Sequence, residues 1–160
     1  VAPPALHNGE VADFVSRSGP ELTPAELYAL LRLRVDVFVV EQNCPYPELD
    51  GKDLLPTTQH IWESSVTGEV TGCLRVLGPL SEAQPVWRIG RVCTADSARG
   101  TGLGGRLMEA ALAFAGDVEC VLDAQTYAEG FYSRHGFVRE GAEFEEDGIP
   151  HVTMRRTPSR

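Results

Sequence analysis

Apolar positions along the chain follow two periods. Leu27, Leu30, Leu31, Val35 and Phe38 recur at helical spacing on one face. Thr23, Pro24 and Glu26 precede them as a capping box with proline in the first turn. This predicts a helix that starts at Thr23 and fades near Val39, Val40 and Glu41. Short apolar runs bounded by turn residues predict strands over 11–16, 59–64, 71–77 and 86–94. Thr67-Gly68 joins the second to the third, and Gly78-Pro79 and Gln84-Pro85 bracket a loop before the fourth. Gly90 inside the fourth run marks a bulge or a close backbone approach.

Leu103, Leu107, Ala111 and Phe114 predict a helix over 103–115, followed by a strand over 118–124. Thr126 and Glu129 read as a second capping box. It opens a short helix through Phe131 and Tyr132 that stops at Gly136. Residues 137–139 and 151–155 read as a final strand pair. The long stretch 41–58 holds Pro45, Pro47, Gly51 and Pro56, and loops of that length in compact domains are often functional. The order, antiparallel-looking strands and then a strand–helix–strand–helix unit, indicates an α+β fold with a mixed α/β sheet.

A chain of 160 residues predicts one domain, spanning 1–160. The net charge of −9 argues against nucleic acid or an anionic membrane surface as partner. It suits a cationic substrate, and it equally suits simple solubility. No apolar run is long enough for a membrane helix. Residues 1–4 show no targeting pattern and read as a loose terminus. The cysteines at 44, 73, 93 and 120 lack Cys-x-x-Cys spacing and the four histidines are scattered, so no metal site is expected. Cys73, Cys93 and Cys120 lie in apolar runs and read as buried thiols, whereas Cys44 sits in a loop and reads as accessible. A cytoplasmic home fits these features.

Residues 99–108, RGTGLGGRLM, place four glycines before a helix, where backbone N–H groups and the helix dipole bind phosphate. As Gly-x-Gly-x-x-Gly, with Asp123 about 20 residues on, the loop fits a dinucleotide site. Against this, a polar segment (94–99) separates the strand from the first glycine, and only one crossover unit is present. As Arg-x-x-Gly-x-Gly, the same loop aims successive N–H groups at one diphosphate, with Arg99 and Arg106 available to neutralise it.

The stretch VCTADSARGTGLGGRLMEAAL resembles the acetyl-CoA motif of the GNAT superfamily of N-acetyltransferases. LDAQTYAEGFYSRHGF is similar to its second motif, and LRLRVDVFVVEQNCPYPELDGKD and DGIPHVTMRR resemble the ElaA-like branch. The resemblance runs from about Leu22 to Arg156. Asp96 stands where the superfamily often has proline, and Gln125 where it often has asparagine.

The resemblance implies a central mixed, mostly antiparallel sheet, splayed between its fourth and fifth strands and flanked by helices. It implies acetyl-CoA as co-substrate. Arg99, Gly100, Thr101, Gly102, Leu103, Gly104 and Gly105 would hold the pyrophosphate. The backbone of Val92, Cys93 and Thr94 would pair with the pantetheine arm, and Gln125 would contact the cofactor. Tyr132 would be the acid that protonates the departing thiolate, a phenol of pKa ~10 serving a thiol of ~8.5. Because the main chain binds the thioester, Cys93 need not be a nucleophile. The acceptor would be a primary amine on a small molecule or peptide, and the protein a monomer or homodimer.

The acceptor side is less determined. Glu41, His60, Asp123 and Glu129 are candidate bases, although solvated carboxylates would look the same. Glu41, Glu48, Asp50 and Asp53 read either as a pocket wall that attracts a cation or as a solvated acidic loop. Tyr46, Trp62 and Trp87 line the pocket or pack the core. His151 reaches the same site if the last strand lies beside the cleft. An alternative function is a coenzyme A-binding sensor without turnover.

Overall fold

A computed structural model of the protein describes residues 14–79, 81–83 and 85–158. Positions 11–13 of the expected first strand, the expected loose terminus and Gln84 lie outside the described residues. Among the described residues seven strands form one sheet: β1 (Phe14–Ser18), β2 (Thr58–Ser64), β3 (Val70–Leu77), β4 (Val86–Thr94), β5 (Glu119–Gln125), β6 (Val138–Glu146) and β7 (Ile149–Arg156). Their order is β1-β2-β3-β4-β5-β7-β6, and every neighbouring pair is antiparallel except β4–β5. This mixed, mostly antiparallel sheet excludes the repeated parallel units of a dinucleotide-binding fold.

Among the described residues three α-helices flank the sheet: α1 (Pro24–Val35), α2 (Leu103–Ala115) and α3 (Glu129–Ser133). The capping box at α1 forms as expected, with Glu26 N–H donating to Thr23 Oγ1 at 3.1 Å and Thr23 N–H to Glu26 Oε1 at 2.9 Å. The helix does not simply fade, because Asp36–Glu41 continue it as a π-helical turn. The second expected box is absent. Thr126–Ala128 make a 3₁₀ turn, and the Glu129 carboxylate instead accepts from Arg139 at 2.9 and 3.1 Å.

The sheet's two faces carry separate cores. Leu103, Leu107, Met108 and Ala111 of α2 pack on Ile61, Leu74, Val76, Ile89 and Leu122. On the opposite face Leu30 and Leu33 of α1 cover Trp62, Cys73 and Cys93. The expected strand 137–139 is far longer as β6, an exposed edge rich in glutamate that carries little apolar signal. It returns to β7 through Asp147 and Gly148, both at positive φ.

β4 carries the bulge. Gly90 pairs with Arg75 and Cys93 with Cys73, so Arg91 and Val92 stand opposite the single residue Leu74. Gly90 marked the place, but the left-handed residue is its neighbour Arg91, at φ 51°. The Arg91 guanidinium holds that conformation from outside. Its Nη2 donates to the Glu48 carbonyl at 3.1 Å, and it lies over the Tyr46 ring at 5.8 Å.

Candidate active site

β4 and β5 part soon after they meet. They pair only from Val86–Glu119 to Arg88–Val121, while the strands run on to Thr94 and Gln125. The edge of β4 beyond Arg88 therefore has no strand on its β5 side. Unpaired main-chain groups on such an edge bind an extended ligand as a strand would. The parting opens a cleft of about 550 Å³, lined by Val92, Gln125, Tyr127, Tyr132, Tyr46 and His151 among others.

At the end of β4 a 3₁₀ turn, Asp96–Ala98, leads into the glycine loop. Gly100 and Gly102 sit at φ 79° and 82°, which residues with a Cβ adopt at a cost. Gly102 is the N-cap of α2 and supplies no side-chain acceptor. The N–H groups of Leu103, Gly104 and Gly105 thus head the helix without intrahelical partners, as an anion site requires. Gly104 faces α3. A Cβ there would lie in ordinary contact with the Phe131 ring, at 3.5 Å, so the space alone does not require glycine.

Neither arginine of the loop is a free cation. Arg99 makes a two-pronged pair with Glu41 at 2.7 and 2.6 Å and donates to the Thr94 carbonyl at 3.1 Å. Arg106 lies 3.5 Å from Glu63. The Thr101 hydroxyl donates to the Ala98 carbonyl.

Tyr132 sits between Phe131 and Phe137, with ring centroids 5.0 and 6.3 Å away, and lines the cleft. Burial first, then the neighbouring ionisable Tyr127 and Cys93, push its phenol up. Cys93 is 6% exposed, and its sulfur lies 3.7 Å from that of Cys73 on β3. The hydrogen bond to Cys73 and then burial push the Cys93 thiol well up.

On the acceptor side the acids of the loop are taken up in ion pairs, with Glu48 and Asp53 buried and Asp50 exposed. Arg34 donates to Glu48 at 2.6 Å and to Asp53 at 2.6 and 3.2 Å, and Arg75 donates to Asp50 and Asp53. Tyr46 lines the cleft while its hydroxyl donates to Glu48. Burial first, then that bond, raises the Tyr46 phenol.

Three expectations are corrected, and of the two readings of the tryptophans core packing holds. Glu41 is tied to Arg99 beside the glycine loop and does not face the cleft. His60 is buried away from it, with Nε2 2.8 Å from the Asp53 carbonyl, and burial lowers its pKa. Cys44 is 7% exposed, and its thiol donates to the Asp147 carbonyl at 3.4 Å. Trp62 is core, and Trp87 packs edge-on to Phe114 at 5.5 Å. Asp123 does reach the cleft, but it is held by Arg88 at 3.0 Å and Thr153 at 2.8 Å.

One pairing has no sequence signal, and one places His151 as the strand reading allows. Gln125 meets Gln42 through reciprocal amide bonds of 3.3 and 3.2 Å across the cleft. His151 stands opposite Gln125 in the β5–β7 register.

A sheet parted at one parallel pair, with a glycine turn at the head of the slot, defines the class. Residues 56–158 match the family described as Acetyltransferase (GNAT) domain, and the chain belongs to it. Its relatives narrow the branch. It is 55% identical over 139 residues to the UPF0039 protein Mb2876c of Mycobacterium bovis, covering 87% of this chain and 89% of that one. It is 41% identical over 142 residues to Protein ElaA of Escherichia coli, covering 85% and 90%. The crystal structure of ElaA superposes with a TM-score of 0.83 at 37% identity, covering 89% and 97% of the two chains. That of an acyl-CoA N-acyltransferase from Pseudomonas aeruginosa superposes at 0.85 with 44% identity, covering 91% and 99%. The chain is thus an ElaA-like member of the GNAT acyltransferases.

Proposed function

We propose that the protein transfers an acetyl group from acetyl-CoA to a primary amine on a small molecule or peptide, directly within a ternary complex. One observation carries this reading. The unpaired β4 edge leads into the glycine turn at one end and shares the cleft with Tyr132, an arrangement that suits a pantetheine arm between a bound diphosphate and its thioester. The similarity to a protein named as an acyl-CoA N-acyltransferase supports it.

In this reading the N–H groups of Gly100 to Gly105 hold the pyrophosphate, and Arg99, oriented by Glu41, stands beside them. Val92, Cys93 and Thr94 pair with pantetheine, and Gln125 contacts the arm. A β4 N–H at the slot polarises the thioester carbonyl and stabilises the oxyanion of the tetrahedral intermediate. Tyr132 then protonates the departing sulfur. Burial makes its phenol a weaker acid, but the same desolvation makes a thiolate in that slot a stronger base. The buried, proton-holding Cys93 favours direct transfer over an acetyl-enzyme.

Thiol release from acetyl-CoA, measured against a panel of small-molecule and peptide amines, tests the reading. Amine-dependent release with formation of the amide is expected. Saturable acetyl-CoA binding with no release to any amine would overturn it in favour of a coenzyme A-binding sensor.

A further inference from the structure

Direct transfer to an amine also needs an acceptor for the amine's proton. Most carboxylates first considered are already paired: Glu41 with Arg99, Glu129 with Arg139, Asp123 with Arg88 and Asp50 with Arg75. His60 lies outside the cleft. Glu146 and Asp147 border the cleft from the β6–β7 turn but are exposed at its rim.

We infer that His151 is the base that takes the proton from the attacking amine. The inference rests on the acyltransferase reading. Two contacts fix the ring. It is half-buried on the cleft wall, and it stacks on Phe144 with centroids 5.9 Å apart and planes 22° apart. Its Nδ1 lies 2.7 Å from the Ile149 carbonyl oxygen. A carbonyl oxygen only accepts, so Nδ1 carries the hydrogen and the lone pair of the neutral ring resides on Nε2. The hairpin thereby selects the basic tautomer at the nitrogen away from the backbone. Register places His151 directly opposite Gln125, on the strand next to the slot.

The step balances. The amine nitrogen attacks the thioester carbonyl carbon, forming a C–N bond and an oxyanion. The nitrogen of that intermediate loses its proton to His151 Nε2. The C–S bond then breaks, and the sulfur takes a proton from Tyr132 Oη. The products are the amide and free coenzyme A. The proton on the imidazolium returns through solvent to the phenolate, and both groups are reset.

Two variants separate a base from a structural residue. His151→Asn keeps an N–H donor toward the Ile149 carbonyl and lacks a basic nitrogen beyond it. His151→Ala leaves a space for added imidazole. Acetyl-CoA affinity by calorimetry and kcat with a turned-over amine are measured for both. The expected result is unchanged acetyl-CoA affinity, a fall in kcat of about 10²–10⁴-fold in both variants, and saturable recovery of His151→Ala by imidazole. Near-normal kcat in His151→Asn, or no recovery by imidazole in a variant that still binds acetyl-CoA, would overturn the assignment while leaving the acyltransferase reading intact. Coenzyme A binding without transfer in the unmodified protein would overturn both.

Discussion

Arg34 and Asp53 form a two-pronged ion pair, at 2.6 and 3.2 Å, that fastens the long loop after α1 back onto that helix, while Arg75 of β3 ties the same Asp53 to the sheet. Arg34 is 1% exposed, so this pair works in a dry environment with Glu48 on its other side. Removing one partner of such a set leaves the others charged and desolvated. Arg34→Met therefore lowers unfolding free energy by about 3–5 kcal/mol. Urea denaturation reads this directly, and a variant as stable as the unmodified protein would contradict the anchoring role.

The same network sets an acid limit. For Asp50 the hydrogen bond from Arg75 leads, and it holds the carboxyl well below the usual carboxylate range. For Asp53 burial pushes the carboxyl up, but Arg34 and Arg75 outweigh it and the net shift is downward. Depressed carboxyl pKa values mean that the unfolded chain binds protons first on acidification. Their stabilisation is therefore complete above about pH 4 and is lost below it. His60, also depressed, loses stability in the same direction, beginning below about pH 6.5, where the unfolded imidazole starts to charge. Stability measured from pH 8 to pH 3 should decline in these two stages. A His60→Gln variant should lack the first.

Gly102 turns the chain at φ 82° where an added Cβ would meet no atom within 4 Å, so its requirement is conformational. Gly102→Ala costs about 1–2 kcal/mol of stability through the left-handed backbone. It should also weaken acetyl-CoA binding by about tenfold or more, equivalent to at least ~1.4 kcal/mol. Thermal melts and calorimetry on one preparation check both. Equal affinity in the folded variant would contradict the phosphate assignment.

Tyr132→Phe keeps the ring between Phe131 and Phe137 and removes only the hydroxyl. Turnover should fall about 10²-fold or more, with little change in acetyl-CoA affinity. Steady-state kinetics with acetyl-CoA varied separates the two, and unchanged kcat would remove the phenol from the reaction.

Much of this was legible in the sequence. The glycine loop, the Phe131–Tyr132 helix and the order of strands follow from local turn chemistry and periodicity, which a sequence carries openly. The destination of charged side chains does not. Arg34 reads as a polar position on α1 and is among the most buried large side chains of the protein. Its partners lie 14 and 19 residues away, within a loop that has no period. Glu41 looked like a base because nothing local shows that it meets Arg99, 58 residues on. β6 escaped for the opposite reason. It is an exposed edge, so its strand geometry leaves no apolar alternation.

Amide hydrogen exchange with and without coenzyme A tests the central claim most directly, because it reports where on the main chain the carrier sits. Slowed exchange confined to the unpaired edge of β4 around Val92 to Thr94 and to the turn from Gly100 to Gly105 is the predicted result. Coenzyme A that leaves those amides unchanged, or protects a different surface, would contradict the account.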